Sequence, residues 1–142
     1  EYSYSDRDQR HRLNAWLLWN APAGFDVNFR YAYRSAQPKS ITRSGADAAT
    51  PQDRINPDGS VTRRNLGRKD NVFNSLDVRI SRPFDFGSTK IEPIFEVFNA
   101  FNWATYGCLD NFVPPGGNPS FGQASCTTNL PRRYQVGARV SF

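Results

Sequence analysis

The sequence predicts an all-β chain of about five antiparallel, up-and-down strands. Three observations carry that expectation. The last eleven residues, 132 to 142, alternate apolar and polar side chains without error; four earlier stretches repeat the pattern less cleanly; and the segments between them alternate between short Gly- or Pro-bearing turns and long aperiodic loops.

The first strand is expected over 13 to 20, with Leu13, Ala15, Leu17 and Trp19 on one face and Trp16 and Leu18 sharing the other with Asn14 and Asn20. Ala-Pro-Ala-Gly at 21 to 24 supplies a short turn. The second strand is the cleanest of the four: Phe25, Val27, Phe29, Tyr31 and Tyr33 alternate with Asp26, Asn28, Arg30, Ala32 and Arg34. From 35 to 70 the periodicity disappears, and about 36 residues without an element is long for a compact soluble domain. The third strand begins at Leu76 and runs to Phe84, with Leu76, Val78 and Ile80 against Asp77, Arg79 and Ser81.

A turn at 85 to 89 leads into the fourth strand, 90 to 101, where Ile91, Phe95 and Val97 oppose Glu92 and Glu96. Pro93 cannot donate to a ladder and is expected at a membrane boundary or a bulge. Ile94 and Phe98 sit on the otherwise polar face. A second loop is expected from 103 to 131. In the final strand Tyr134, Val136, Ala138, Val140 and Phe142 share one parity, and Arg133, Gln135, Gly137, Arg139 and Ser141 share the other.

Short turn, long loop, short turn, long loop is the order of connections in outer-membrane barrels, whose turns are periplasmic and whose loops face outward. With a periplasmic C-terminus, the turns at 21 to 24 and 85 to 89 are periplasmic and the loops at 35 to 70 and 103 to 131 external. Ten residues tilted by about 40° span roughly 25 Å, the height of the apolar band of such barrels. Five strands cannot close a barrel when the smallest natural ones have about eight, so an arc of a larger wall is expected.

Composition agrees. No apolar run approaches the roughly 20 residues of a membrane-spanning helix, and the mean hydropathy is −0.65. Barrel strands expose only half their positions to lipid, so they keep a hydrophilic average while 14% of the chain is aromatic. The net charge of +5 with interleaved aromatics invites a nucleic-acid reading. That reading is set aside because many arginines fall at strand positions whose opposite face is apolar, which suits a polar barrel interior. The absence of Met, the polar run at residues 1 to 10 and the lack of a signal peptide suit the C-terminal portion of an exported protein. Cys108 and Cys126 lie in one loop-like region without metal-type spacing; an exported loop would let them pair, and the alternative is two free thiols.

A terminal aromatic preceded by apolar residues at every second position resembles the closing strand of bacterial outer-membrane barrels. In that family the pattern, here Tyr134, Val136, Ala138, Val140 and Phe142, is the address read by the barrel-assembly machinery. Further words point the same way. Arg64-Asn-Leu-Gly-Arg68, Leu76-Asp-Val-Arg-Ile80, Phe95-Glu-Val-Phe-Asn-Ala-Phe-Asn102, Phe121-Gly122 and Gln135-Val-Gly-Ala-Arg-Val-Ser-Phe142 resemble the C-terminal end of TonB-dependent receptors. The nearest group is the Oar-like type, which often carries a carboxypeptidase-regulatory-like domain.

The resemblance implies a Gram-negative outer-membrane location and a barrel of about 22 strands around an N-terminal plug, importing a scarce ligand with energy from the TonB system. The plug and the TonB-contacting segment are not in this sequence. What transfers is wall and loop, with outer-membrane lipid as partner and the transported ligand unassigned. Oar-like relatives are also linked to protein secretion and adhesion, which leaves that alternative open. A soluble β-sandwich binding module is the other; it requires the faces of Phe29, Val78 and Phe95 to pack on one another.

No enzyme activity, cofactor or metal site is expected. His11, the only histidine, lies among arginines at the lip of a strand and suits a solvated residue. Arg30, Arg34, Asp77, Arg79, Glu92, Glu96 and Arg139 are expected to face the lumen or plug, with Arg79 opposite or diagonal to Glu96 in a charge ladder. The loop cations Arg43, Arg54, Arg63, Arg64, Arg68 and Lys69 could hold anionic ligands or lipopolysaccharide phosphates, or be merely solvated. Aromatic girdles are expected from Tyr31, Tyr33 and Tyr134 at the outer rim and Trp19, Phe25, Phe84 and Phe142 at the inner one.

Overall fold

The structure, a computed structural model, describes residues 2–43, 51–66 and 71–142. The chain divides into two compact units. One comprises Arg12–Tyr33, Asn74–Ala104 and Leu130–Phe142; the other comprises Glu1–His11, Arg34–Phe73 and Thr105–Asn129. Both are all-β, with antiparallel sheets.

The first unit is an open sheet. β1 (Arg12–Ala21) and β2 (Phe25–Arg34) are joined by Pro22–Gly24, where Ala23 and Gly24 take positive φ, 63° and 77°. β2 pairs with β3 (Phe73–Ser81); β3 and the short β4 (Phe84–Phe86) both pair with β5 (Thr89–Phe98). β4 and β5 are joined by a two-residue loop with Gly87 at its first position and φ at 64°, as a primed hairpin turn requires. After β6 (Tyr106–Leu109) and β7 (Ala124–Thr127), which belong to the other unit, β8 (Arg133–Ser141) returns along the free side of β5. Among the described residues no strand joins β8 to β1, so the sheet does not close.

The register decides which side chains share a face. Val78, Ile80 and Phe84 stand opposite Val97, Phe95 and Ile91, and on the other side of β5 those three stand opposite Tyr134, Val136 and Val140. On the alternate face Arg79 opposes Glu96 and Glu92 opposes Arg139. The register of β3 on β5 is the one β4 continues, so the expected third strand is one strand interrupted at Arg82 and Pro83. Pro93 lies across that interruption. Its carbonyl accepts from the Arg82 amide (3.4 Å), and a residue's N–H and C=O point to the same neighbour in an antiparallel ladder. The missing N–H therefore faces the gap between β3 and β4. In place of the bulge offered as one expectation for Pro93 there is a break without slip, and Pro93 keeps its place opposite Ala138.

The fourth strand stops at Phe98 rather than 101 because Asn99 takes φ 51°. Asn99, almost fully buried, ties three segments together. Its amide nitrogen donates to the carbonyls of Trp103 (2.9 Å) and Leu130 (3.0 Å), its side-chain oxygen accepts from the Trp103 amide (3.0 Å), and its own backbone N–H donates to Asp77 Oδ1 (2.9 Å). Asn102, at φ 53°, accepts from the Arg132 amide at the entry to β8 (2.9 Å). The doubled Phe-Asn block is thus a clamp that places β8 beside β5.

The second unit is organised by hydrogen bonds rather than by an apolar core. A hairpin of β6 and β7 forms within the segment expected to be loop, and Cys108 and Cys126 are disulfide-bonded across it, with Cα atoms 5.5 Å apart. Gly107 makes room beside them, since a Cβ there would meet the Thr128 methyl and force that side chain to move. Within 35 to 66, Thr42 bridges Phe112 and Ile55 bridges Val61. Asn65, also at positive φ (59°), donates through its side chain to the Tyr4 carbonyl and to Asp6, while its backbone N–H donates to Ser40 Oγ (2.9 Å).

Replacing Asn99 by Ala leaves the Trp103 N–H and the Leu130 carbonyl without their partner and puts a Cβ at positive φ without the compensating bonds. We expect a loss of about 3 kcal/mol, read as a lowered urea midpoint in detergent micelles; Asn99→Gly, which relieves only the backbone, should recover the smaller part of it.

Candidate functional site: the charged face of the sheet

Antiparallel pairing places the lumen-assigned residues on one face. Arg79 Nη1 lies 4.0 Å from Glu96 Oε1, Arg139 Nη1 lies 3.5 Å from Glu92 Oε2, and Arg30 Nη1 lies 3.9 Å from Asp77 Oδ2. Each pair joins two neighbouring strands, and together they run from β2 to β8. Asp77 is further oriented by bonds from Ser75 Oγ (3.1 Å) and the Asn99 amide. Arg34 is the exception: at the end of β2 its guanidinium stacks 4.0 Å from the centre of the Phe73 ring, outside the ladder.

Apolar groups interrupt this wet face where the sequence pattern was least regular. Trp16, Leu18 and Phe98 join Arg30, Asp77 and Glu96 in lining a hollow of about 200 Å³. Phe98 also receives the Arg133 guanidinium at 5.4 Å. Ile94 faces Gly137 on one side and Ser81 on the other, so it sits between its two smallest cross-strand neighbours. The hollow offers paired charges around apolar walls, which suits noncovalent contact with a surface or molecule of mixed polarity.

Burial is inverted along the middle of β5, whereas on β2 the apolar-face residues Val27, Phe29 and Tyr31 are more sheltered than Arg30. Along β5 the charged-face residues Glu92, Ile94 and Glu96 are half-buried, whereas Ile91, Pro93 and Phe95 are exposed. On β8 Val136 is 79% and Val140 54% exposed. Among the described residues Val27 is the only hydrophobic one that is buried. The apolar face carries aromatics at both ends. Tyr31 meets Trp103 edge-on at 6.3 Å and Phe95 stacks on Tyr134 at 6.2 Å toward the end from which the long segments leave. Trp19, Phe25, Phe84 and Phe142 lie toward the end with the short turns. Trp103, which lies 4.8 Å from Phe101, was not among the aromatics singled out from the sequence.

The loop cations are not one set. Arg54 is fully buried and donates from Nη1 to the Thr62 carbonyl (2.7 Å), so it is an internal strut of the loop unit and not a surface donor. Arg64 pairs with Asp6 (3.0 Å) and Arg43 Nε donates to Asn56 Oδ1 (3.1 Å). Arg63 is exposed. Arg68 and Lys69 lie outside the described residues. His11 is exposed, and its backbone exchanges bonds with Ser35.

The Asn65 side chain donating to Asp6 holds the Asp6 carboxyl below its ordinary range; burial opposes it less strongly, and the adjacent Arg64 adds to the lowering. Compared with protein-family models, curated proteins and solved structures, the chain matches none.

Two predictions concern these pairs. Glu96→Arg should destabilise the sheet, and adding Arg79→Glu should restore part of the loss; the coupling of a half-exposed pair is expected at about 0.2–1 kcal/mol, and additive single effects in a double-mutant cycle would sink the pairing. Because the folded-state pKa of Asp6 is depressed, its contribution is complete above the unfolded value of about 3.9 and is lost as pH falls through the folded value. The stability difference between the wild type and Asp6→Asn should accordingly be constant from neutral pH to about 5 and vanish at the acid end of a thermal-unfolding series.

Proposed function

We propose that this chain is the C-terminal wall and outer-loop portion of an outer-membrane β-barrel receptor of the TonB-dependent type, which takes up a scarce ligand. The observation that carries the reading is the open apolar face: Val136 and Val140 on β8 are largely exposed, and along β5 Ile91 and Phe95 are more exposed than the paired acids Glu92 and Glu96. In water that distribution is unfavourable, since apolar surface gains by being covered. Against lipid it is the favourable one, with ion pairs lining an aqueous lumen and aromatic rows at both margins of an apolar band.

Other observations support it. A chain of this length that formed a water-soluble domain would bury a substantial apolar core. The open edges of β1 and β8 are compatible with further strands on either side, as an arc of a closed wall needs. The disulfide suits an exported loop. On this reading Tyr134 to Phe142 is the segment that the assembly machinery recognises, the short turns are periplasmic, the loop unit is external, and coupling to TonB belongs to a plug outside this chain.

Fractionation of Gram-negative envelopes on a density gradient tests the reading. The protein should sediment with lipopolysaccharide, resist carbonate extraction, and leave that fraction when Phe142 is deleted. Recovery of folded protein in a soluble fraction would overturn it. Ligand accumulation that stops when TonB is removed would separate uptake from an adhesion or secretion role on the same wall.

A further inference from the structure

We infer that Arg82, held between Phe25 and Phe84 on the apolar face, is a docking point for the phosphate of a phospholipid headgroup. The inference rests on the reading that this face meets lipid, and it identifies a particular contact there. Arg82 follows Val78 and Ile80 at alternate positions and stands across from Pro93, so its side chain leaves from the apolar face. Its guanidinium carbon lies 5.2 Å from the centre of the Phe25 ring and 4.8 Å from that of Phe84. Among the described residues it has no ion-pair partner. The neighbouring cation Lys90, by contrast, lies 3.9 Å from Asp85.

An unpaired guanidinium within an apolar face is costly unless it reaches a polar boundary. Arg82 lies where β3 ends, toward the short-turn end of the sheet, where Trp19, Phe25 and Phe84 supply the half-exposed rings of an interfacial belt. The two Phe rings attract the guanidinium as a cation without offering its N–H groups an oxygen acceptor, so those groups remain donors in a planar fork. A phosphate diester bearing one negative charge matches that fork in charge and geometry, and at this depth the headgroup layer provides it. The break between β3 and β4 has a second consequence: Pro83 interrupts the ladder next to Arg82, where water and headgroups can solvate the backbone.

The test uses the whole chain, labelled with carbon isotope at arginine, in vesicles of phosphatidylethanolamine with a minor share of phosphatidylglycerol. Dephasing of the arginine Cζ signal by lipid phosphorus is read by solid-state NMR, and quenching of Trp19 by brominated acyl chains is read in a Trp16→Phe/Trp103→Phe background. We expect a dephased Cζ signal that is lost in Arg82→Gln, together with quenching of Trp19. If the Gln variant does not assemble, Arg82→Lys makes the same spectral assignment. Quenching without any Arg82-dependent dephasing would overturn the phosphate contact and leave the lipid-facing reading intact. Absence of both would overturn the two together.

Discussion

The unslipped register of β5, paired on both sides, is the constraint on which the rest depends. β5 carries Glu92 and Glu96 on one face and Ile91, Phe95 and Val97 on the other, and it meets β3 and β8 so that each acid finds an arginine and each apolar residue another apolar one. A slip of one residue on either side would exchange the faces of the moved strand and place an arginine among the apolar rows. The ion pairs are individually weak at these distances and exposures. Their larger effect is on which register is allowed, since the shifted alternative leaves charges unmatched on both strands.

That register also explains how a chain with prolines on both neighbouring strands, one cross-strand position apart, keeps a continuous wall. Pro83 and Pro93 each lack a donor; the one missing at Pro93 faces the interruption between β3 and β4, and Pro83 stands within that interruption, opposite Glu92. On its other side β5 remains paired with β8 from Lys90 to Phe98, so the damage is confined to one seam. The Asn99 and Asn102 turn acts at the opposite end of the same strand. By binding Asp77, Trp103, Leu130 and Arg132, it fixes the approach of β8 after a long excursion of the chain. Local turn chemistry thereby sets a pairing that is distant in sequence.

Strand positions, the two short turns and the opposition of Arg79 and Glu96 were legible in the sequence because a period of two and a turn of fixed length leave little freedom. Glycine at 87 and Pro-Ala-Gly at 22 to 24 set the hairpins, and counting from them sets the partners. What escaped had no periodic signal. The strands β6 and β7 are four residues each, and Tyr-Gly-Cys-Leu and Ala-Ser-Cys-Thr are too short to alternate visibly. Arg54 reads as a surface cation by composition, yet its burial depends on the Thr62 carbonyl and on a fold of the loop that no local pattern announces. Asn99 and Asn102 were noticed only as repeated words; their positive φ and their capping role belong to three-dimensional contacts between segments as far apart as residues 77 and 132.

The two units solve the problem of stability by different means. In the sheet, backbone ladders and cross-strand pairs order the chain while apolar surface stays open, so the environment of that face decides how much of it is stabilised. In the loop unit the buried side chains described include, besides Pro38, those of Ser40, Thr42, Arg54, Asn65 and Thr105, polar groups whose burial is tolerable only while each is hydrogen-bonded. Such a network defines one arrangement sharply, because displacing one partner strands another, but it contributes little net energy per bond. A covalent bridge between Cys108 and Cys126 is then well placed. It restricts the unfolded alternatives of the hairpin that supplies Thr105 and Phe112 to the network, in a unit that has little apolar burial to hold it.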